Sequence, residues 1–219
     1  MALDFPYNMM YREAIAICQK HRVGTIVPEQ YYILWNQSQE KIVAQKIQVM
    51  EVNKKAYDDL LPLKEQLKNV AFTLASDGYA YRIASYEFDV PYRRILKVSV
   101  KLSADTAPVK CVLLKANEAT DILNGVYSAP SIHQCYYSIE FDGTTFIRVY
   151  VPTATTVVTG HIEYYVEPTL VTATDVVDTA LESVFNKEMC DEIIRMTALM
   201  YIERVQDPRY QTYINSQQQ

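Results

Sequence analysis

The hydrophobic pattern of this 219-residue chain changes type twice, and these two changes limit the folds that it can adopt. Apolar residues recur at helical spacing up to about residue 62, alternate as in β-strands through a Tyr-, Thr- and Val-rich middle, and return to helical spacing near the C-terminus. Helices and strands that are segregated in this way are typical of an α+β fold. We therefore expect an N-terminal helical region at 1–62, a central β domain at 63–175, and a C-terminal helix and tail at 176–219.

Three long helices are predicted in the two outer regions. The first runs from Asn8 to about Arg22, and the second begins at Pro28, a residue that suits the first turn of a helix. The apolar stripe of this second helix includes Tyr31 and Trp35. The third helix, from about Asn186 to Gln206, is apolar around most of its circumference. We expect it to pack with the N-terminal helices and to be covered on two sides, by its own domain or by a neighbouring subunit.

Asp-Gly pairs between β-type runs predict two hairpins in the central region, at Asp77-Gly78 and at Asp142-Gly143. Six or seven strands are expected, and a short crossover helix is predicted near 117–124, where Asn117 can cap and Gly125 can end it. Hairpins in this number predict an antiparallel sandwich or barrel. The runs with β-type alternation are 70–74, 79–83, 95–102, 136–141, 144–150 and 157–166.

The charge of the chain argues against tight binding of phosphates. Hydrophobic residues make up 49% of the chain and charged residues 21%, values typical of a folded globular protein. The net charge is −5, from 26 acidic and 21 basic residues, and the basic residues form no block. Because a basic block is the usual footprint of backbone binding, we expect DNA to pass near this protein without being held by it.

The four cysteines predict neither a zinc site nor disulfides. They occur singly, whereas zinc ligands come in pairs two to four residues apart, and a chain of this size needs no covalent staples. Residues 1–6 lack the basic and apolar parts of a signal peptide, and no run is long enough to cross a membrane. These features predict a cytoplasmic protein with reduced thiols. The cysteines are Cys18, Cys111, Cys135 and Cys190.

No residue pattern indicates catalysis. His21, His133 and His161 lack metal-ligand spacing, and the five glycines are isolated, which excludes a Gly-rich phosphate loop. Acidic pairs such as Asp58-Asp59 are typical of surface charge. We predict that the protein is not an enzyme and has no cofactor or metal, although a glycosidase that uses carboxylates alone stays open as an alternative.

Tyrosine is the residue type that points to binding, because the chain has 18 of them beside one Trp and six Phe. Tyr provides contact area with a polar tip, which interfaces favour. In the β region, each of the pairs Tyr136-Tyr137 and Tyr164-Tyr165 is expected to place one ring inward and one outward. Exposed rings of this kind would also suit a carbohydrate- or cell-surface-binding module, which is the main alternative function.

The segment after Pro208 keeps aromatic and apolar side chains in an otherwise polar end. Two interpretations stay open, namely an arm that attaches to another subunit and a frayed terminus. We group this segment with the stripe of the second helix as a candidate interface. The candidate interface residues are Tyr31, Trp35, Arg209, Tyr210, Tyr213 and Ile214.

The order of elements and several local stretches resemble a known family. The stretches that carry the resemblance are 92–100 (YRRILKVSV), 117–124, 127–130, 136–150, 163–168 (EYYVEP) and 207–211 (DPRYQ). Together with the long last helix, they resemble the head-to-tail connector, or adaptor ring, proteins of short-tailed bacteriophages, including the neck ring proteins of crAss-like phages. The resemblance covers most of the chain and rests on layout and loose local patterns.

The resemblance implies a structural virion protein that is assembled in the host cytoplasm. It implies a subunit of a ring, twelvefold in this family, that docks under the portal and continues the DNA channel towards the tail. Helices would line or buttress the channel, and DNA would pass through it without sequence-specific binding. The resemblance also implies that a terminal segment, here 209–216, reaches into a neighbouring subunit or the portal.

Overall fold

The protein is described by a computed structural model that covers residues 6–76, 81–102, 107–115, 118–125, 128–153, 159–177 and 181–206. The chain divides into two compact units. The helical unit is made of residues 1–63 and 168–219, and the sheet unit is the continuous segment 64–167. The long helices lie in one unit and the sheet lies in the other, which confirms the α+β fold class.

The elements follow the three-part order of the sequence pattern. In chain order the helices are α1 (Tyr7–Lys20), α2 (Pro28–Val49), α3 (Lys54–Leu60), α4 (Ala119–Asn124), α5 (Ala173–Val177) and α6 (Lys187–Gln206). The strands are β1 (Lys64–Val70), β2 (Thr73–Ser76), β3 (Tyr81–Phe88), β4 (Tyr92–Lys101), β5 (Val109–Leu113), β6 (Cys135–Asp142), β7 (Thr144–Pro152) and β8 (Thr159–Val166).

The three long helices predicted from sequence are confirmed as α1, α2 and α6, and local chemistry explains where they begin. Pro28 occupies the first turn of α2. The side chain of Asn186 accepts a hydrogen bond of 2.9 Å from the backbone N–H of Met189, which caps α6. Asn53 caps the short α3 in the same way, at 3.0 Å from the N–H of Lys55. Helix α3 is absent from the sequence prediction because its residues, KKAYDDL, have almost no apolar period.

The core of the helical unit lies where α6 packs against both α1 and α2. Helix α1 contributes Met10 and Ala14, and α6 contributes Met189 and Ile193, all of them buried. Apolar residues cover a wide arc of α6 because two helices pack against it. Burial of such side chains stabilises a fold by about 1.5–3 kcal/mol each.

The eight strands within the described ranges form one curled sheet, with the order β1-β8-β4-β5-β6-β7-β3-β2. Neighbours are antiparallel except β5 and β6, which run parallel and pair Cys111 with Cys135. The expected antiparallel sandwich or barrel is thus corrected to a mixed sheet. The reason is the crossover that contains α4, since a chain that leaves and re-enters a sheet through a crossover can run in the same direction again.

Both predicted hairpins are confirmed in their strand pairing. Strand β2 pairs with β3, although the Asp77-Gly78 turn between them lies outside the described residues. At the second hairpin Asp142 pairs with Thr144, and Gly143 has a φ of +76°, a conformation that Gly adopts without strain. The expected strand total of six or seven was too low because β1 and β5 were not predicted.

The predicted crossover helix is confirmed as α4. Gly125 follows its last residue with a φ of −74° and a ψ of 136°, so the helix ends in extended backbone. The proposed capping residue Asn117 lies outside the described residues.

Candidate functional site

The two helical aromatics of the predicted interface lie in the core of the helical unit. Tyr31 and Trp35 are both 0% exposed. The Trp35 ring lies 5.8 Å from Tyr7, and the Tyr31 ring lies 5.1 Å from Tyr11, between ring centroids, with edge-to-face contacts in both cases. The structure therefore assigns these rings to packing, and they offer no surface to a partner. The other four predicted interface residues, Arg209, Tyr210, Tyr213 and Ile214, lie outside the described residues.

Side-chain amides of α2 hold the segment that enters the helical unit after the sheet. Asn36 bonds both backbone groups of Val171, donating to the carbonyl at 2.8 Å and accepting from the N–H at 2.9 Å. Gln39 accepts a bond of 3.1 Å from the Trp35 indole and donates one of 3.2 Å to the carbonyl of Thr169. Sequence reasoning did not single out either amide. Their spacing of three residues on α2, which places both on one face, was the available signal.

Beside this segment the helical unit has an apolar groove of about 290 Å³. Its rim consists of Leu170, Leu181 and Val184, whose side chains are 71%, 43% and 54% exposed, and its floor includes Tyr7 and Phe185. Two carboxylates, Asp175 and Glu182, also line it. Exposed apolar side chains that converge on a concave surface are typical of a docking site for another chain. We name this feature the α2–α5 groove.

A second exposed apolar surface lies at the tip of the β6–β7 hairpin. Phe141 is 78% exposed, and Ile139 lies two residues before it on the same face of β6. Leu113 of β5, also exposed, pairs with Tyr137 and so belongs to this face. Phe141 and Ile139 form an apolar patch next to the Asp142-Gly143 turn, which we name the hairpin tip, and Leu113 lies further along the same face.

The Tyr-Tyr pairs of the sheet are not exposed, which corrects an expectation from the sequence. Tyr136, Tyr137, Tyr164 and Tyr165 are all buried. Tyr136 packs in a cluster with Leu123 of α4, so this helix covers the face that was expected to be open. Burial and a hydrogen bond of 2.9 Å from the Tyr164 hydroxyl to Glu65 raise the pKa of Tyr164 to about 12. These rings therefore provide no stacking surface for a sugar.

An ion-pair network joins three helices of the helical unit. Lys46 Nζ on α2 lies 2.6 Å from Asp59 Oδ2 on α3 and 2.9 Å from Glu192 Oε2 on α6. Asn186 donates a further bond of 2.8 Å to Asp59 Oδ1. Burial opposes ionisation of Asp59, but the bonds from Lys46 and Asn186 outweigh it and lower the pKa of the carboxyl. Asp59 is buried, so it is not part of the surface charge expected for the Asp58-Asp59 pair.

All four cysteines are free and buried. Cys111 and Cys135 are direct partners on β5 and β6, and their hydrogen bond together with burial raises the pKa of the Cys111 thiol. The same hydrogen bond lowers the pKa of the Cys135 thiol, but this side chain is fully buried and thus closed to a substrate. Their role in the structure is to pack the sheet core.

Chemical sites of other kinds find little support. Among the residues that the structure describes, no three His, Cys, Asp or Glu side chains are grouped so that they could hold a metal ion. None of the described helices combines the length and the apolar character needed to cross a membrane. No protein-family model and no curated protein matches this sequence. The α2–α5 groove and the hairpin tip are thus the strongest candidates for functional surfaces.

Proposed function

We propose that this protein is a structural virion protein that forms a ring in the neck of a bacteriophage, joining the portal to the tail and continuing the DNA channel. The observation that carries the proposal is the α2–α5 groove, an exposed apolar concavity that two carboxylates also line. A subunit of a ring needs such a surface for contact with its neighbours. The sequence resemblance to connector proteins supplies the kind of assembly.

The occupant of the groove in this proposal is the C-terminal segment of a neighbouring copy. That segment carries Tyr210, Tyr213 and Ile214, which suit the apolar rim, and Arg209, which suits the carboxylates of Asp175 and Glu182. A contact between one surface of a subunit and a different surface of the next is heterologous, and such contacts close into rings when the rotation permits. Groove and segment together therefore account for a ring without any further partner.

The hairpin tip is proposed to contact the portal or another neck protein. Phe141 projects from a tight turn, so it can enter a pocket on a partner at little cost in backbone entropy. A structural protein of this kind needs no catalytic residue. In this proposal the protein is assembled in the host cytoplasm and works in the virion.

Light scattering tests the proposal through the mass of the purified protein, alone and mixed with a candidate portal protein. We expect a ring-sized or portal-bound species for the full chain. A chain that ends at Pro208, and the variant Leu181→Glu/Val184→Glu, should both stay monomeric, because each removes one half of the proposed contact.

The matched control is Leu199→Glu, which introduces a charge at an exposed leucine of α6 that does not line the groove. This control should assemble as the full chain does. A full-length protein that stays monomeric and does not bind the portal would contradict the proposal.

A further inference from the structure

Strand pairing brings together basic residues that are far apart in the sequence. Lys68 on β1 pairs with His161 on β8, His161 pairs with Ser99 on β4, and Ser99 pairs with Lys110 on β5. Directly paired residues point to the same side of a sheet. These four residues therefore form one row across four strands, on one face of the sheet unit.

The alternation along β4 extends this row into a surface. Lys97, Ser99 and Lys101 point to the face of the row, whereas Val98 and Val100 point to the core and are fully buried. Thr159 of β8 pairs with Lys101 and adds a hydroxyl to the same face. We name the surface formed by Lys68, Lys97, Lys101, Lys110 and His161, with Ser99 and Thr159 among them, the lysine face.

Part of the lysine face is concave. A pocket of about 260 Å³ is lined by Lys68, Ser99, Lys101, Thr159 and His161, together with backbone near Gly160. No carboxylate is among its lining residues in the part of the chain that the structure describes. The ammonium and hydroxyl groups around this cavity can donate hydrogen bonds. The oxygens of a phosphate group can accept these bonds.

The lysines at the ends of the face are not neutralised by the protein. Lys68, Lys101 and Lys110 make no ion pair with any residue within the described ranges. Glu163 is the carboxylate of the neighbouring row, where it pairs with Gln66 and Lys97, and it is already shared by Lys64 at 2.7 Å, His161 at 3.4 Å and Lys97 at 3.7 Å. Three positive charges are thus available to an external anion.

A β-bulge separates Lys68, on the lysine face, from the next residues of β1. Lys68 pairs with His161 and Val70 pairs with Gly160, so Asn69 is an extra residue between two consecutive partners. Asn69 has a φ of +58°, a left-handed conformation that is uncommon outside glycine. Bulges of this type redirect a neighbouring side chain, and here Val70 after the bulge is buried, whereas Lys68 before it stays on the side of Ser99 and Lys101.

We propose that the lysine face binds the phosphate backbone of duplex DNA. The face extends over three strand spacings from Lys68 to Lys110, about 14 Å, and over about 13 Å from Lys97 to Lys101. A surface of this size meets several phosphates at once, because duplex DNA carries one charge per ~1.7 Å of axis. The choice of duplex DNA over other polyanions rests on the proposed function, in which DNA passes through the ring.

Contacts of this kind bind the phosphates of DNA and do not recognise its base sequence. Lysine bonds to phosphate as a point charge, and contacts with phosphate carry no sequence information. The net charge of −5 is compatible with such a face, because the four lysines of the face lie on one side of the sheet unit. The expectation that basic residues form no block holds for the sequence but not for the folded sheet.

The test measures binding of the full chain to a fluorescently labelled random-sequence duplex by anisotropy, from about 25 to about 200 mM salt. We expect affinity to fall with salt. The variant Lys68→Gln/Lys101→Gln/Lys110→Gln should bind at least about tenfold more weakly at low salt, and the slope of log affinity against log salt should decrease by about 2–3, close to one for each lysine removed.

The matched control is Lys20→Gln/Lys41→Gln/Lys54→Gln, which removes the same charge from exposed lysines of the helical unit. It should keep the slope of the unchanged protein. The proposal is overturned if the duplex does not bind at the lowest salt, if both triple variants lose affinity equally, or if polyglutamate binds in place of DNA. Circular dichroism verifies that each variant is folded.

Light scattering of the same preparations separates this proposal from the proposed function. A protein that assembles or binds the portal but not the duplex would contradict only the lysine face. A protein that binds the duplex through the lysine face but never assembles would contradict only the ring.

Discussion

The helical unit and the sheet unit are held together over different distances along the chain. The sheet unit is one continuous segment in which hairpins such as β6–β7 join neighbours in sequence. The helical unit is closed by bonds between residues more than a hundred positions apart, such as Asn36 with Val171 and Asp59 with Asn186. The pairing within the sheet unit, including the long-range pair of β1 with β8, is complete within residues 64–167, whereas the helical unit requires α6, which follows the sheet in the sequence.

The largest difference between the two units is expected when residues 168–219 are removed. We expect the helical unit to unfold, because α6 packs against both α1 and α2, while the pairing within 64–167 is left intact. The single Trp, buried at position 35, reports this loss as a red shift of its fluorescence. A chain that ends at Pro208 keeps α1 to α6 and serves as the control. Unchanged Trp emission after the larger deletion would show that the N-terminal helices fold without α6.

A smaller effect is expected from Asp59→Ala, which breaks the network of three helices. The free energy of unfolding should fall by about 2–3 kcal/mol, since Lys46 loses a buried partner but keeps Glu192. Asp58→Ala, at the exposed neighbour, should change the free energy by no more than about 0.5 kcal/mol. Urea unfolding measures both values, and equal effects at the two positions would refute the importance of the network.

The same pair of variants gives a pH test. The pKa of Asp59 is lowered in the folded protein, so between the folded and the unfolded pKa the unfolded chain binds more protons and stability rises with pH. The contribution of Asp59 is therefore complete above the ordinary pKa of a carboxyl and disappears as the pH falls through the lowered value. The difference in the free energy of unfolding between the unchanged protein and Asp59→Ala should shrink in acid, and Asp58→Ala is measured beside it as the exposed control.

The smallest change in the free energy of unfolding is expected for a substitution in the sheet unit. A Cβ at Gly160 would overlap the Phe72 ring, so Gly160→Ala should lower the free energy of unfolding by about 1–2 kcal/mol. Combining it with Phe72→Ala should give less than the sum of the two single effects, because the second change removes the obstacle. Gly24→Ala in the helical unit meets no atom within 4 Å and is the control. If the effects of Gly160→Ala and Phe72→Ala on the free energy of unfolding are strictly additive, overlap with the Phe72 ring is not the cause of the destabilisation.

The parts of the fold that could be predicted are those with a local signal. Asp142-Gly143 identifies a hairpin because the turn itself demands these residues, and Pro28 marks the start of α2. Strand β1, with the sequence KEQLKNV, has no such signal, because its pairing with β8 creates its structure. Short helix α3 was missed for the same reason, since tertiary contacts rather than periodicity hold it.

The candidate surfaces were less predictable because each depends on residues from separate segments. Trp35 and Tyr31 have the composition of an interface, and only the positions of α1 and α6 reveal that they are covered. The lysine face exists only after β1, β4, β5 and β8 are in register. A one-residue change of register would send these side chains to the other side of the sheet, so no reading of the sequence alone could assemble them.

The strand order leaves β1 and β2 at the two edges of an open sheet. Open edges invite uncontrolled pairing with other chains, and both edges here are poorly suited to it. Strand β1 carries charges at Lys64, Glu65 and Lys68 and is bent by the bulge at Asn69, and β2 is only four residues long. Fibre formation through either edge strand is therefore disfavoured even when the protein is concentrated.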